Sequence, residues 1–205
     1  EKIEEMSAQM EGIQNYSRAG SLRRMRETIK DLDFIIATTN PLKVKEQLLQ
    51  ISGIKETIAA GDTKVSVIFE LEYDVSVDFR LVKPAEFATT LHHFTGSKEH
   101  NVRMRQLAKE RGEKISEYGV EQVETGEILT FKSEEEFYGH FGLTCIPPEL
   151  REDGSEVDHY APELELISLE DIRGDLHMHS TWSDGAHTIE EMVEACRERG
   201  YEYLA

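Results

Sequence analysis

Apolar side chains at Ile3, Met6, Met10 and Ile13 recur at helical spacing, which predicts a helix over residues 1–16. The period then changes. Residues 31–37 read as a strand, apolar in its second half and bounded by polar turns. Side chains two apart on a strand share a face, so Leu32, Phe34 and Ile36 point to a core while Asp31 and Asp33 point away from it. Asn40-Pro41 caps the next helix, whose buried side is Leu42, Leu48, Leu49 and Ile51, and Gly53 stops it. Two strands, 54–60 and 64–70, flank a Gly61-Asp62 turn. In 73–82 the alternation is clean, with Val75, Val77, Phe79 and Leu81 on one face and Asp74, Ser76, Asp78 and Arg80 on the other. Strands in close succession with helices between them predict an α+β fold with an antiparallel or mixed sheet, not a doubly wound one.

The second half follows the same logic. Pro84 opens a short helix through Leu91. Ser97 caps a basic amphipathic helix over 98–111, ended by Gly112. Residues 113–131 read as paired strands turning near Glu117–Gly119 and Thr125–Glu127, and Ser133–Phe137 reads as a capping box. Residues 149–172 are acidic and weakly patterned, as expected of a linker. Beyond them His177 and His179 share a strand face, Ser183-Asp184-Gly185 turns the chain, and Thr188 to Glu191 caps a helix ending at Arg199-Gly200.

The chemistry concentrates at residues 20–33. Adjacent carboxylates at Asp31 and Asp33 repel each other, and a hard divalent cation such as Mg²⁺ removes that conflict. The Gly20-Ser21 turn and Arg23, Arg24 and Arg26 offer backbone N–H groups and forked donors to an anion. A carboxylate pair beside an anion cradle suits a nucleoside triphosphate. If the two strands pair, Asp78 completes a cage of three carboxylates, and Arg80 orients one of them. Asp-x-Asp alone is most often a solvated strand end; the arginine cluster and the third acid raise this one above that. His-x-His at 177–179 is likewise a ligand spacing that is common by chance. His92, His93 and His100 have no metal-like partner set and are read as non-ligands.

Gly20-Ser21-x-Arg23-Arg24, Asp31-x-Asp33 and Val77-Asp78-Phe79-Arg80, followed by Phe94-Thr95-Gly96-Ser97, Asn101 and Arg105, resemble the palm and thumb of family X DNA polymerases, the polymerase beta relatives. Gly174-Asp175-Leu176-His177-Met178-His179-Ser180 resembles the start of a PHP (polymerase and histidinol phosphatase) domain. The resemblance implies a nucleotidyltransferase-type palm (1–92), a small α+β thumb (93–148), a linker (149–172) and the first β-α unit of an incomplete PHP barrel (173–205), the whole being a fragment. It implies gap-filling DNA polymerisation in base excision repair, using Mg²⁺ or Mn²⁺ held by Asp31, Asp33 and Asp78. Gly20, Ser21 and Arg24 would hold the triphosphate of a deoxynucleotide, with Phe94 and Gly96 lining it. Asn101 would reach the minor-groove edge of gapped or primer-template DNA, and Arg105 the template. His177, His179 and Asp184 would be ligands for Mn²⁺ or Zn²⁺ in a 3′–5′ exonuclease or phosphoesterase only begun here. Met25 and Lys30 stand where beta-type relatives carry glycine; Lys30 brings charge instead. The alternatives are a nucleotidyltransferase for a non-DNA acceptor, and a silent nucleic-acid-binding module of a PHP phosphoesterase.

A net charge of −18 argues against nucleic-acid binding until its distribution is read. Residues 18–30 carry five basic and one acidic side chain, and 97–114 six and three. Residues 115–171 carry two and sixteen, so the acid lies away from the proposed site. Cys145 and Cys196 are too few for a disulfide framework, which suits a reducing cytoplasm. No apolar run reaches the ~18 residues of a membrane span, and a monomer is expected.

Overall fold

A computed structural model describes residues 9–205. They form two units, residues up to Tyr160 and Ala161–Ala205. The fold is α+β. In the first unit a mixed five-stranded sheet runs in the order β1-β2-β5-β4-β3. Its strands are β1 (Ile13–Arg18), β2 (Asp31–Thr38), β3 (Ile54–Ala60), β4 (Lys64–Glu70) and β5 (Asp74–Val82). Only the β2–β5 pair is parallel; its neighbours in the sheet are antiparallel.

The alternation read from sequence is what builds this layer. Phe34 and Ile36 of β2, Val65, Val67 and Phe69 of β4, and Val77, Phe79 and Leu81 of β5 form one buried cluster. Helix α2 (Pro41–Leu49) covers it with Val44 and Leu48. Asn40 caps α2 by accepting from the Lys43 N–H, and Pro41 occupies its first turn. Truncating a fully buried ring here, as in Phe79→Ala, costs about 3–5 kcal/mol.

Two expectations fail in this region. Ile13–Arg18 is a strand, not the end of a helix over 1–16, because Tyr16, Ser17 and Arg18 pair with Ile36, Ile35 and Phe34 of β2. Residues 1–8 of that helix, with Ile3 and Met6, lie outside the described residues, and Met10 packs partly buried against the core cluster. On α2, Leu42 and Leu49 are exposed, and Val44 takes their place in the core.

The other sheet face is covered beyond the aspartates by helix α3 (Phe87–Thr95), through a cluster of Ala19, Ile35 and Leu91. A 3₁₀ turn, Pro84–Glu86, precedes α3, which runs past the expected Leu91. Ser97 then caps helix α4 (Lys98–Glu110), its hydroxyl oxygen accepting from the His100 N–H at 3.1 Å. Strands β6 (Glu113–Ser116), β7 (Gly119–Gln122) and β8 (Ile128–Leu129) form a small antiparallel sheet. With helix α5 (Glu134–His140) they enclose a core around Met104, Val120, Phe137 and Tyr138. Ser133 caps α5, but the Glu136 carboxylate accepts from Lys132 N–H, so the expected capping box closes one residue early.

The expected linker over 149–172 is not one throughout. Arg151 is fully buried, and Val157 of helix α6 (Glu156–His159) joins the same core as Phe137. His100 donates or accepts between Glu156, 2.6 Å from Nδ1, and the Tyr138 hydroxyl, 2.7 Å from Nε2. Burial, then the nearby Arg151 charge, drives the His100 pKa down to about 3, so this internal chain is uncharged at the imidazole.

In the second unit, β9 (Gly174–Asp175) pairs in parallel with β10 (Tyr203–Leu204), and helix α7 (Ile189–Glu198) connects them. Thr188 and Glu191 form the expected capping box. The strand stops at Asp175, short of His177 and His179, although the Met178 N–H still donates to Ala205 O at 3.1 Å. Among the described residues, no helix is long and apolar enough to cross a membrane. Cys145 and Cys196 are both free.

Candidate active site

The parallel register of β2 and β5 sets Asp33 directly opposite Asp78, and Asp31 opposite Ser76. Period-two alternation puts all three carboxylates on the sheet face away from Phe34, Val77 and Phe79. The first short helix, α1 (Gly20–Arg23), begins beside them. Gly20 has φ +59°, and a Cβ there would lie 2.5 Å from Asp33 Oδ2. The glycine is therefore required twice, by its backbone and by the carboxylate it leaves room for.

Asp33 is half-buried. Burial raises its pKa first, the Asp78 charge next, and Arg80 opposes them. Asp78 has the opposite fate. Burial works to raise its pKa, but Lys64 and Ser66 outweigh it and hold it below the usual carboxylate range. Lys64 Nζ lies 2.6 Å from Asp78 Oδ2, and Ser66 donates its hydroxyl to Oδ1 at 2.6 Å. Three hard oxygen donors on one face, one of them destabilised as an anion, are the donor set a divalent cation needs. The gap that Gly20 leaves at Asp33 agrees with that fit. As the side chains stand, no three acidic, histidine or cysteine groups among the described residues are drawn into a finished metal cage. Lys64 supplies the positive charge at Asp78 instead.

Arg80 was expected to orient one of the aspartates. Its guanidinium carbon sits 3.7 Å from the centroid of the Phe94 ring, and its buried Nε has no hydrogen-bond partner. Its influence on Asp33 is through-space charge. Phe94 is correspondingly committed to Arg80.

The arginines after Gly20-Ser21 are gathered by groups far along the chain. Arg23 donates to Thr95 Oγ1 at 2.8 Å and pairs with Glu134, which also holds buried Arg151 at 2.6 Å. Arg24 donates Nη1 to Thr95 O at 2.7 Å and Nε to Glu152 at 3.0 Å. Arg26 lies 3.7 Å from the same Glu152 oxygen. Gly96, with φ +70°, would bring a Cβ to 3.1 Å from Arg24 Nη1, and the Gly96-Ser97 peptide is cis. Ser21 sits half-buried in α1. Met25 adopts φ +57° despite its side chain, and that side chain is exposed, as is Lys30.

Asn101, expected to reach DNA, is folded inward: Nδ2 donates to His93 O at 2.8 Å, and buried Oδ1 is unpartnered. Arg105 is exposed on the same helix and donates Nε to Asn101 O at 3.1 Å. In the second unit, His177 Nε2 lies 3.0 Å from His179 Nε2, and His179 Nδ1 lies 2.8 Å from Asp184.

Sequence reading missed Lys64, Ser66, Glu134, Arg151 and Glu152. The first two were findable, since alternation on 64–70 puts them on the Asp78 face once β4 pairs with β5. Nothing local marks the other three.

The DNA polymerase beta thumb family matches residues 90–152, a span that includes Glu134, Arg151 and Glu152. The chain is 66% identical over 204 residues, all of its length, to the DNA polymerase/3'-5' exonuclease PolX of Bacillus subtilis (strain 168), of which it spans 36%. It is 27% identical over 143 residues to the Repair DNA polymerase X of African swine fever virus (strain Badajoz 1971 Vero-adapted), covering 67% of this chain and 81% of that protein. The span that matches the thumb family supplies Thr95, Glu134 and Glu152, the partners of Arg23 and Arg24, and identity to a DNA polymerase X is sustained along the whole chain, so the chain is similar to the family X DNA polymerases.

Proposed function

We propose that the chain forms the palm and thumb of a DNA polymerase that joins a deoxynucleotide to a primer 3′-hydroxyl in gapped DNA, in base excision repair. The observation that carries this is the register of β2 on β5, which sets Asp33 against Asp78 beside the Gly20 gap. Asp31 and Asp33 would hold two divalent cations, magnesium or manganese, and Asp78 would share the one nearer the primer. When bound, such cations supply positive charge that eases ionisation of the hydroxyl and steadies the departing pyrophosphate. Gly20, Ser21 and Arg24 would orient the triphosphate through backbone N–H groups and a forked guanidinium. Phe94 and Gly96 would line the nucleotide once Arg80 releases the ring. Asn101 would turn outward to the minor groove, giving its buried, unpartnered oxygen access to a donor, and Arg105 would meet the template phosphates.

His177, His179 and Asp184 would be the opening ligands, for Mn²⁺ or Zn²⁺, of a PHP site with 3′–5′ exonuclease chemistry, the activity in the Bacillus relative's name. We place the protein in the cytoplasm, acting as a monomer. The test of the polymerase reading is Asp78→Ala, assayed by Mg²⁺-dependent extension of a gapped primer. Extension should vanish; normal extension would show that the assigned chemistry is wrong.

A further inference from the structure

We propose that Glu152 is an internal stand-in for nucleotide phosphate, which the incoming triphosphate must displace from Arg24 and which thereby sets nucleotide affinity. The inference rests on the reading of Arg24 as a triphosphate ligand. A cavity of about 460 Å³ opens at Arg24, Arg26 and Thr28, and Glu149 and Glu152 close it from the segment after the thumb helix. Arg24 has already committed Nη1 to Thr95 O, 2.7 Å away. Its Nε edge is what an anion can still reach, and the Glu152 carboxylate occupies it at 3.0 Å, with Arg26 at 3.7 Å from the same oxygen. A phosphate oxygen and this carboxylate therefore compete for one donor edge.

The segment is built to let the side chain move while its backbone stays. Arg151 is fully buried, donating Nη1 to Glu134 at 2.6 Å and Nε to Ile146 O at 2.8 Å. Ser97 donates its N–H to Arg151 O at 3.0 Å and its hydroxyl to Glu152 O. The Glu152 side chain, by contrast, is 34% exposed and can rotate into solvent without disturbing those bonds. In the absence of nucleotide the carboxylate keeps two arginines from facing each other unpaired. In its presence the same charge repels the triphosphate until it swings away. The residue thus weakens nucleotide binding by the strength of its own ion pair.

The test is calorimetric titration of the chain with Mg²⁺ and a non-hydrolysable α,β-imido deoxynucleoside triphosphate at low salt. Glu152→Gln should tighten binding by roughly three- to tenfold, the range a half-exposed, charge-assisted pair spans. Glu149→Gln, which removes a charge from the same cavity but no ion pair to an arginine, should change it less than twofold by the same reasoning. Arg24→Ala should weaken binding and erase the Glu152→Gln gain. Thermal melting of each variant confirms that the fold is retained. If Arg24→Ala weakens binding while Glu152→Gln leaves it unchanged, the displacement idea is overturned and the arginine's role stands. If Arg24→Ala binds as the parent does, the triphosphate reading of Arg24 falls and takes this inference with it.

Discussion

Gly20→Ala perturbs the site at its tightest point. The backbone at Gly20 has φ +59°, where an L-residue pays about 1–2 kcal/mol. For a chain of this length that lowers the melting point by roughly 2–8 °C, leaving the protein folded at assay temperature. The new methyl carbon would lie 2.5 Å from Asp33 Oδ2, 3.4 Å from its Cγ and 3.6 Å from its Cβ. To restore an ordinary 3.4 Å contact, the carboxylate oxygen must retreat by about 0.9 Å. Only the carboxylate oxygen is crowded, since Cγ and Cβ would sit at ordinary van der Waals distances, so the Asp33 carboxyl must rotate out of its present position. A displacement near 1 Å in a group that positions reacting atoms costs on the order of 100-fold in rate. The assay is single-turnover insertion into gapped DNA at saturating Mg²⁺, paired with thermal melting. A large rate loss with a modest melting shift supports the placement of Gly20 against Asp33. A variant that inserts within threefold of the parent rate would refute the claim that Asp33 Oδ2 is held where catalysis needs it.

Other outcomes test the surroundings. Glu134→Ala strands Arg151, which is fully buried, and should destabilise the chain by about 3–5 kcal/mol in urea titrations; pairing it with Arg151→Met should recover much of that loss. Asp33 has a raised pKa, so the folded chain binds its proton more tightly than the unfolded chain does. Stability from this group is therefore present below its ordinary 3.8 and declines as pH rises through the raised value. Asp33→Asn should melt higher than the parent at neutral pH without metal, the advantage shrinking toward pH 3.8, as melting curves across pH would show. Lys30→Gly should weaken nucleotide binding at low salt, since the exposed lysine supplies charge beside the site; unchanged affinity in the same titration removes that role.

The five-stranded sheet was legible wherever one face of a strand is buried. Asp78 and its neighbours alternate without a break, so β5 and its polar face could be read directly, and the β3–β4 hairpin announced itself at Gly61-Asp62. Ile13–Arg18 was misread because Ile3, Met6, Met10 and Ile13 fit a helical period. Only pairing with β2, a contact distant in sequence, makes residues 13–18 a strand. The second half of the site was hidden for a related reason. Arg23 and Arg24 meet Glu134 and Glu152, more than a hundred positions away, and an acidic residue in an acidic stretch carries no mark of its partner. Burial of Arg151 and Val157 likewise turns on two residues within a segment whose composition reads as linker. Arg80 shows the limit of face assignment: its strand position was right, but its side chain turned to the Phe94 ring instead of an aspartate.

The central claim is that Asp31, Asp33 and Asp78 share divalent cations, with Lys64 giving way at Asp78. Anomalous diffraction from crystals of the chain grown with Mn²⁺ tests it most directly. The account predicts a manganese peak at ligand distance, roughly 2.0–2.3 Å, from carboxylate oxygens of all three residues, with Lys64 Nζ moved off its 2.6 Å contact. A peak elsewhere, or none while Lys64 remains paired with Asp78, would contradict it.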